Sequence, residues 1–220
     1  MTITQISEHI WRLRLWVGIP IQVWIVTGKD GVTLVDAGLS GMAKTIFAFI
    51  DRLNAGPLKR ILLTHGHSDH VGAIPRILQK TSVPVLAHSI EIPYMEGDLP
   101  YPRRKKAAAS IAPGVAQALP EDENGQLEVL DGLRPILAPG HSPGHVVYYH
   151  EEDGVLLAGD LFTLKKGKLR KPMAIFTADM RTAIQSSLIL RELKPRQLEI
   201  CHGGPVMDPA SQLDEYLAMV

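Results

Sequence analysis

An α/β fold, two β-sheets packed face to face and covered by helices, is predicted for this 220-residue chain by three observations. Short apolar runs with the two-residue alternation of strands occur in both halves of the sequence. Stretches with a 3.6-residue apolar period lie between and after them. The halves also echo one another: Asp30-Gly31-Val32 leads to Asp36 as Asp153-Gly154-Val155 leads to Asp160. Strands and helices distributed in this way point to layered packing, and residues 1–220 suffice for one domain with a sizeable core.

The elements follow in order. His9 to Leu15 alternates Trp11, Leu13 and Leu15 against Arg12 and Arg14 as a half-buried strand, and Ile21 to Thr27 reads as its partner. Lys29-Asp30-Gly31 signals a hairpin into the strand Val32 to Val35. Ser40 can cap a helix with Met42, Ile46, Phe49, Ile50 and Leu53 on one face, stopped by Asn54, Gly56 and Pro57. Arg60 to Leu63 is a strand, Val71 to Leu78 a helix despite Pro75, and Val83 to Ala87 a strand. Periodicity then fails over residues 89–125, where five prolines and the run Arg103-Arg104-Lys105-Lys106 suggest a substrate-side insertion or lid. Gln126 to Leu130, Arg134 to Ala138, His145 to His150 and Val155 to Ala158 read as strands. Thr177 caps a helix with Met180, Ala183, Ile184, Ser187 and Leu188 on one face, and strand Gln197 to Cys201 and a helix near Pro209 to Met219 end the chain.

Lys+Arg 23 balances Asp+Glu 23, so no global field attracts nucleic acid or an anionic membrane surface, and neither is expected as a partner. No apolar run approaches membrane-span length. Cys201, the single cysteine, has no partner for an internal bridge, and the residues after Met1 lack a signal-like apolar core, so a cytoplasmic location is the expectation.

Chemistry concentrates in Thr64-His65-Gly66-His67-Ser68-Asp69-His70, directly after a strand. Imidazoles and a carboxylate suit Zn²⁺ and similar transition metals, and side chains one or two positions apart on a turning loop can address two ions. The pattern resembles the metallo-β-lactamase superfamily of dinuclear metallohydrolases, whose five motifs recur here in order. They are Asp36 in Val35-Asp36-Ala37-Gly38, the His65 to His70 cluster, His141 in Pro139-Gly140-His141-Ser142-Pro143-Gly144-His145, Asp160 in Ala158-Gly159-Asp160, and His202 in Cys201-His202-Gly203-Gly204. The resemblance implies a four-layer αββα sandwich of two mixed sheets. It also implies two divalent cations, zinc in the first instance with manganese or iron as alternatives. His65, His67 and His141 would hold one, Asp69, His70 and His202 the other, and Asp160 would bridge them. The implied nucleophile is a hydroxide shared by the metals, with Asp69 orienting it, at a metal pair about 3.5–4 Å apart.

His145, Asp36 and Thr64 read as groups that fix loops or ligand tautomers. His88, His150 and His9 read as structural or exposed, and Cys201 as a small buried residue pointing away from the site on its strand. Asp160 argues against a true β-lactamase. The Pro139 to His145 stretch is similar to glyoxalase II thioesterases and to lactonases, so a hydrolase of small carboxylic esters, thioesters or lactones is the expected activity. A mononuclear-iron persulfide dioxygenase shares the His/His/Asp side of the pattern and is the alternative. Lys165, Lys166, Lys168, Arg170 and Lys171 form either a solvated loop, the favoured reading, or a steering patch for an anionic substrate. Trp16, Val17, Ile19 and Pro20, with Tyr94, Met95 and Tyr101, could roof an apolar acyl pocket, and the exposed part of that turn could instead make a homodimer contact.

Overall fold

The computed structural model describes residues 1–219. Thr2–Gln5 (β1), Ile10–Trp16 (β2), Pro20–Gly28 (β3) and Gly31–Val35 (β4) form an antiparallel meander. Leu58–Leu62 (β5), Val85–Ala87 (β6) and Ala116–Ala118 (β7) extend it in parallel, giving a mixed sheet in sequence order. The connections carry helices Ala43–Leu53 (α1), Ser68–Val71 (α2), Ile74–Leu78 (α3) and Ile92–Met95 (α4). The second sheet takes Leu133–Leu137 (β8), Val146–His150 (β9), Val155–Leu157 (β10), Gln197–Glu199 and Val206–Met207. Between its third and fourth members come the ribbon Thr163–Lys165 (β11) and Lys168–Arg170 (β12) and the helices Met180–Ser186 (α5) and Ile189–Leu193 (α6). With Gln197–Glu199 as β13, Val206–Met207 as β14 and Leu213–Leu217 as α7, the sheet order is β14-β13-β10-β9-β8, and only β10 and β13 are parallel.

Strand alternation divides the apolar residues among three cores. Along β3, Ile21, Val23 and Ile25 face outward to Ile46, Ile50, Ile74 and Ile77 of the helices, whereas Trp24 and Val26 face inward. Across from them, Val146 and Tyr148 of β9 and Val155 and Leu157 of β10 also face inward and fill the space between the sheets. Val147, Leu156 and Leu198 point the other way, onto Ile189, Leu190, Leu213 and Tyr216 of α6 and α7. Helix, sheet, sheet and helix are therefore successive layers, as the sequence predicts.

Several local expectations are corrected. Gln126 to Leu130 forms no strand; Leu127 and Leu130 make only isolated bridges, and the sheet edge is taken by β7 from within the segment that had no readable period. Ser40 makes no side-chain cap, and a 3₁₀ turn, Ser40–Met42, leads into α1 instead. The predicted helix Val71 to Leu78 is two helices, because Pro75 lacks an amide hydrogen and is accommodated in the first turn of α3. Asp179, not Thr177, caps α5: its carboxylate accepts from Thr182 N at 3.2 Å. The helix that follows splits into α5 and α6. Finally, the basic stretch after Asp160 folds as the β11–β12 ribbon, with Lys166 and Gly167 both at positive φ in its turn.

Candidate metal centre

Each motif ends a strand at the same edge of the sandwich. β4 delivers Asp36, and β5 delivers the loop from Thr64 to His67 that runs into α2, bearing Asp69 and His70. In the second sheet His141 lies between β8 and β9, Asp160 follows β10, and His202 follows β13. Gly159 makes the last approach possible. It sits at φ +50, and a Cβ there would lie 2.8 Å from Thr64 Oγ1 and 2.9 Å from His145 Nε2.

The predicted residues gather as two groups. In the first, His67 Nδ1 lies 3.0 Å from His65 Nε2 and 3.1 Å from His141 Nε2. In the second, His202 Nε2 lies 3.1 Å from Asp69 Oδ2 and 3.2 Å from Asp160 Oδ2, while His70 Nε2 lies 3.5 Å from Asp160 Oδ1 and 3.7 Å from Asp69 Oδ2. Asp160 touches both, because its Oδ2 is also 3.4 Å from His141 Nε2.

Partners on the far side of each ring fix which nitrogen faces inward. Asp36, buried and held at φ +57, accepts from Thr64 N and Thr64 Oγ1, each at 2.8 Å, and from His70 Nδ1 at 2.7 Å. With its proton given to Asp36, Thr64 Oγ1 accepts from His65 Nδ1 at 3.1 Å. Pro20 O accepts from His202 Nδ1 at 2.9 Å. Thr177 Oγ1, which donates to Met173 O, faces His141 Nδ1 at 3.4 Å. The Nε2 atoms of His65, His70, His141 and His202 are thereby turned into the site. His145 acts on the loop: its Nε2 accepts from Asp160 N at 3.2 Å.

Electrostatics separates the two groups. Burial and the neighbouring imidazoles hold His65 and His145 well below the ordinary histidine value and bring His67 down to about 3. Burial opposes charge on His202 too, yet its bonds to Asp160 and Asp69 raise it to about 11. Burial would raise Asp69, but the charge of His70 and the bond from His202 bring it down to about 2. One group is thus a set of neutral nitrogens with lone pairs converging; the other pairs ionised carboxylates with imidazolium protons. Buried His70 Nε2 and Asp160 Oδ1 have no hydrogen-bond partner, although each faces the centre. Clustered nitrogens, orphaned polar atoms and proton charge standing beside carboxylates fit divalent cations of the kind imidazole and carboxylate prefer.

Cys201 does not turn away as expected. The chain leaves β13 at Glu199, so strand alternation no longer applies, and the buried thiol sits with ligand-type atoms of His70, Asp160 and His202, all within 4.8 Å of one another. The sequence reading missed Glu91. This buried residue accepts from Gly66 N at 2.9 Å and Tyr101 Oη at 2.7 Å through Oε1, and from Ser142 Oγ and Gly144 N, each at 2.8 Å, through Oε2. It joins the loops that bear His65, His67 and His141, and only its lack of nearby chemistry in sequence hid it.

A cleft of about 420 Å³ opens on the centre, with His67, Asp69, Asp160 and His202 at its floor and Val17, Ile19, Ile21, Leu39, Met173 and Phe176 among its walls. Of the expected roof, Val17, Ile19 and Tyr101 take part. Met95 instead packs in the outer core, and Tyr94 stacks on Tyr101 with ring centres 5.4 Å apart. The basic ribbon stays outside the cleft, with Lys168 paired to Glu215 at 2.5 Å. Among the described residues no helix is long and apolar enough to cross a membrane.

The chain and its fold have counterparts among known proteins. The chain is 35% identical over 211 residues to the probable metallo-hydrolase YybB of Bacillus subtilis (strain 168), covering 94% of this chain and 93% of that protein. It is 32% identical over 138 residues to hydroxyacylglutathione hydrolase GloC of Haemophilus influenzae, covering 60% and 62%. The crystal structure of TTHA1623 in a di-iron-bound form is similar with a TM-score of 0.70 and 26% identity, covering 95% of this chain and 99% of that one. With residues 16–201 matching the description "Metallo-beta-lactamase superfamily" and five motifs converging on one edge of the sandwich, the chain belongs to that superfamily.

Proposed function

We propose that this protein is a dinuclear metal-dependent hydrolase of small carboxylic esters, thioesters or lactones. The observation that carries the reading is the pair of ligand-type groups meeting at Asp160 beneath a largely apolar cleft. Similarity to a probable metallo-hydrolase and to a hydroxyacylglutathione hydrolase supports hydrolysis, and similarity to a di-iron protein supports a two-metal site. His65, His67 and His141 would hold one cation, Asp69, His70 and His202 the other, with Asp160 shared; zinc is the first candidate, manganese and iron the alternatives. Bound there, the cations would supply Lewis acidity, lowering the pKa of water to roughly 7 and polarising the acyl carbonyl.

The chain's own residues do the rest. Asp69 is ionised at neutral pH and faces the cleft, so it accepts a hydrogen bond from the attacking water and aims it. Val17, Ile19, Met173 and Phe176 exclude bulk water from the acyl group. Water oxygen adds to the acyl carbon, the C–S or C–O bond breaks, and the two protons of water are shared between the acid product and the leaving thiol or alcohol.

Elemental mass spectrometry before and after metal reconstitution, paired with thioester, lactone and aryl ester assays, tests the reading. Two transition-metal ions per chain, with turnover tracking occupancy, is the expected result. Asp160→Ala and His67→Ala should each lower kcat by about 10²-fold or more through lost metal. Full turnover by either variant at full metal loading would overturn the mechanism. One tightly held iron, sulfide-dependent oxygen uptake and no hydrolysis would replace it with persulfide oxidation.

A further inference from the structure

We propose that the protein carries a further divalent-cation site, formed by His9, His150 and Asp153 at the end of the sandwich opposite the candidate metal centre, and that zinc bound there staples the two sheets together. Among the described residues, three groups of His, Cys, Asp or Glu side chains bring ligand-type atoms within 4.8 Å of one another. Two of these groups belong to the centre already described. The third is His9, His150 and Asp153, for which the hydrolase reading has no use. His9 comes just before β2 of the first sheet, while in the second sheet His150 ends β9 and Asp153 stands in the turn before β10. β10 runs from that turn toward Asp160, so the length of the strand separates the two sites. His150 and Asp153 are buried, and His9 is partly exposed.

Two imidazoles and a carboxylate are a donor set that suits zinc and its neighbours. His9 Nδ1 lies 2.9 Å from Asp153 Oδ1. That is the separation of two ligands at right angles on a cation with bonds of about 2.0–2.1 Å. Asp153 Oδ2 is engaged separately, accepting from Ser7 Oγ at 2.5 Å and from His9 N at 3.1 Å, which holds the carboxylate with Oδ1 turned to the imidazole. The His150 ring stacks on that of His9 with centres 5.2 Å apart. Its Nδ1 accepts from Asp153 N at 3.2 Å, so its proton sits on Nε2. Burial holds this histidine below its ordinary value, and the ring is therefore neutral, as a ligand must be. Gly132 keeps the approach clear, because a Cβ there would lie 2.8 Å from His150 Nε2. A groove of about 400 Å³, with His9, His150 and Gly132 in its lining, opens at this point and gives water access to the remaining coordination positions. Its charged side chains are Asp131 and Glu152 against Lys29, an excess of negative charge that favours a cation. In the metal-free protein a proton joins His9 Nδ1 to Asp153 Oδ1; zinc takes its place, and the proton leaves to solvent.

Equilibrium dialysis against free Zn²⁺, with metal per chain read by elemental mass spectrometry, counts the site. Wild-type protein should hold one more zinc than His9→Gln or Asp153→Asn, whatever the occupancy of the candidate metal centre. Each variant should bind that last ion about 10²-fold more weakly or worse, since losing even a hydrogen-bond partner behind a ligand costs about 10- to 100-fold. His88→Gln, which removes a histidine that belongs to none of the three groups, should keep it. In the wild type, histidine-selective ¹⁵N NMR should show the ring nitrogens of His9 and His150 shifting with the last equivalent, and Tm should rise further as it fills. Equal zinc in the wild type and both variants, or ring nitrogens of His9 and His150 unmoved at zinc saturation, would overturn the proposal. The NMR measurement needs no variant, so it decides the matter even where a substitution prevents folding.

Discussion

A buried carboxylate that accepts four hydrogen bonds cannot be replaced without orphaning a donor. Glu91 is such a group, and two of its donors, Gly66 N and Gly144 N, are backbone amides that cannot turn to another partner. Glutamine keeps one accepting oxygen and turns its amide toward one glycine N–H. Glu91→Gln should therefore cost about 1–3 kcal/mol in urea denaturation. Because the bonds hold the loops on either side of the three-histidine group, metal affinity should fall about 10- to 100-fold, read by competition with a chelator. The contrast with His65 to His70 explains what could be read from residues alone. Those side chains declare themselves by adjacency, whereas Glu91 works on Gly66, Tyr101, Ser142 and Gly144, partners that a sequence cannot assign to it. Cys201 shows the complementary limit: its direction follows from where β13 ends, and two residues past a strand the alternation rule no longer speaks.

At the scale of elements, legibility followed burial. β3, β4, β9 and β10 are nearly buried throughout, so their composition marks them as strands before anything is known of their neighbours. β7 and the β11–β12 ribbon are short and largely exposed, and pairing rather than composition makes them strands. Polar ties between elements were equally hidden. His9, just before β2, bonds through Nδ1 to Asp153 Oδ1 at 2.9 Å in the turn between β9 and β10. His150 stacks on His9 at 5.2 Å, and Ser7 donates to Asp153 at 2.5 Å. The bond to Asp153 raises His9 above its ordinary 6.5, with Glu152 and Glu8 adding to it. Asp153 lies below its ordinary 3.8; burial opposes this, and the bonds from Ser7 and His9 prevail. A raised histidine stabilises fully below its unfolded value and loses that contribution as pH rises through the folded one. A lowered aspartate stabilises above its unfolded value and loses that as pH falls. The tie is therefore strongest between about pH 4 and 6.5. His9→Gln should lower Tm more at about pH 5.5 than at about pH 8.5, measured by calorimetry.

For the whole molecule, the decisive contacts are those that cross between sheets. Arg12 of β2 reaches Glu199 of β13 at 3.1 Å, with the carboxylate fully buried and also accepting from Trp24 Nε1 at 3.3 Å and Gln197 Nε2 at 2.7 Å. Arg12→Met leaves that carboxylate without its cation and should cost about 3–5 kcal/mol in urea denaturation. Gln22 donates to Ile200 O, to Cys201 O at 3.2 Å and to Gly203 O at 3.1 Å, pinning the His202 turn to the first sheet. The candidate metal centre draws on both sheets as well, so chelation should loosen the sandwich itself. Metal at one hundred times its dissociation constant adds about 2.7 kcal/mol, and Tm should fall on treatment with a chelator and recover when zinc is returned. The two-sheet architecture was readable because strand-like runs and helix-period stretches recur in both halves of the sequence; that the sheets are locked by buried polar groups was not, since Arg12 and Gln22 alternate in their strands as solvent-facing residues would.

The cleft walls have a separate fate from the floor. Val17, Ile19 and Phe176 are about half exposed and stand on turns that carry none of the inward-facing histidines or aspartates. Substitution there changes stability by little. On the acyl-hydrolase reading proposed above, a library randomised at these positions and at Met173 should change acyl preference while the His67, Asp69, Asp160 and His202 floor stays as it is.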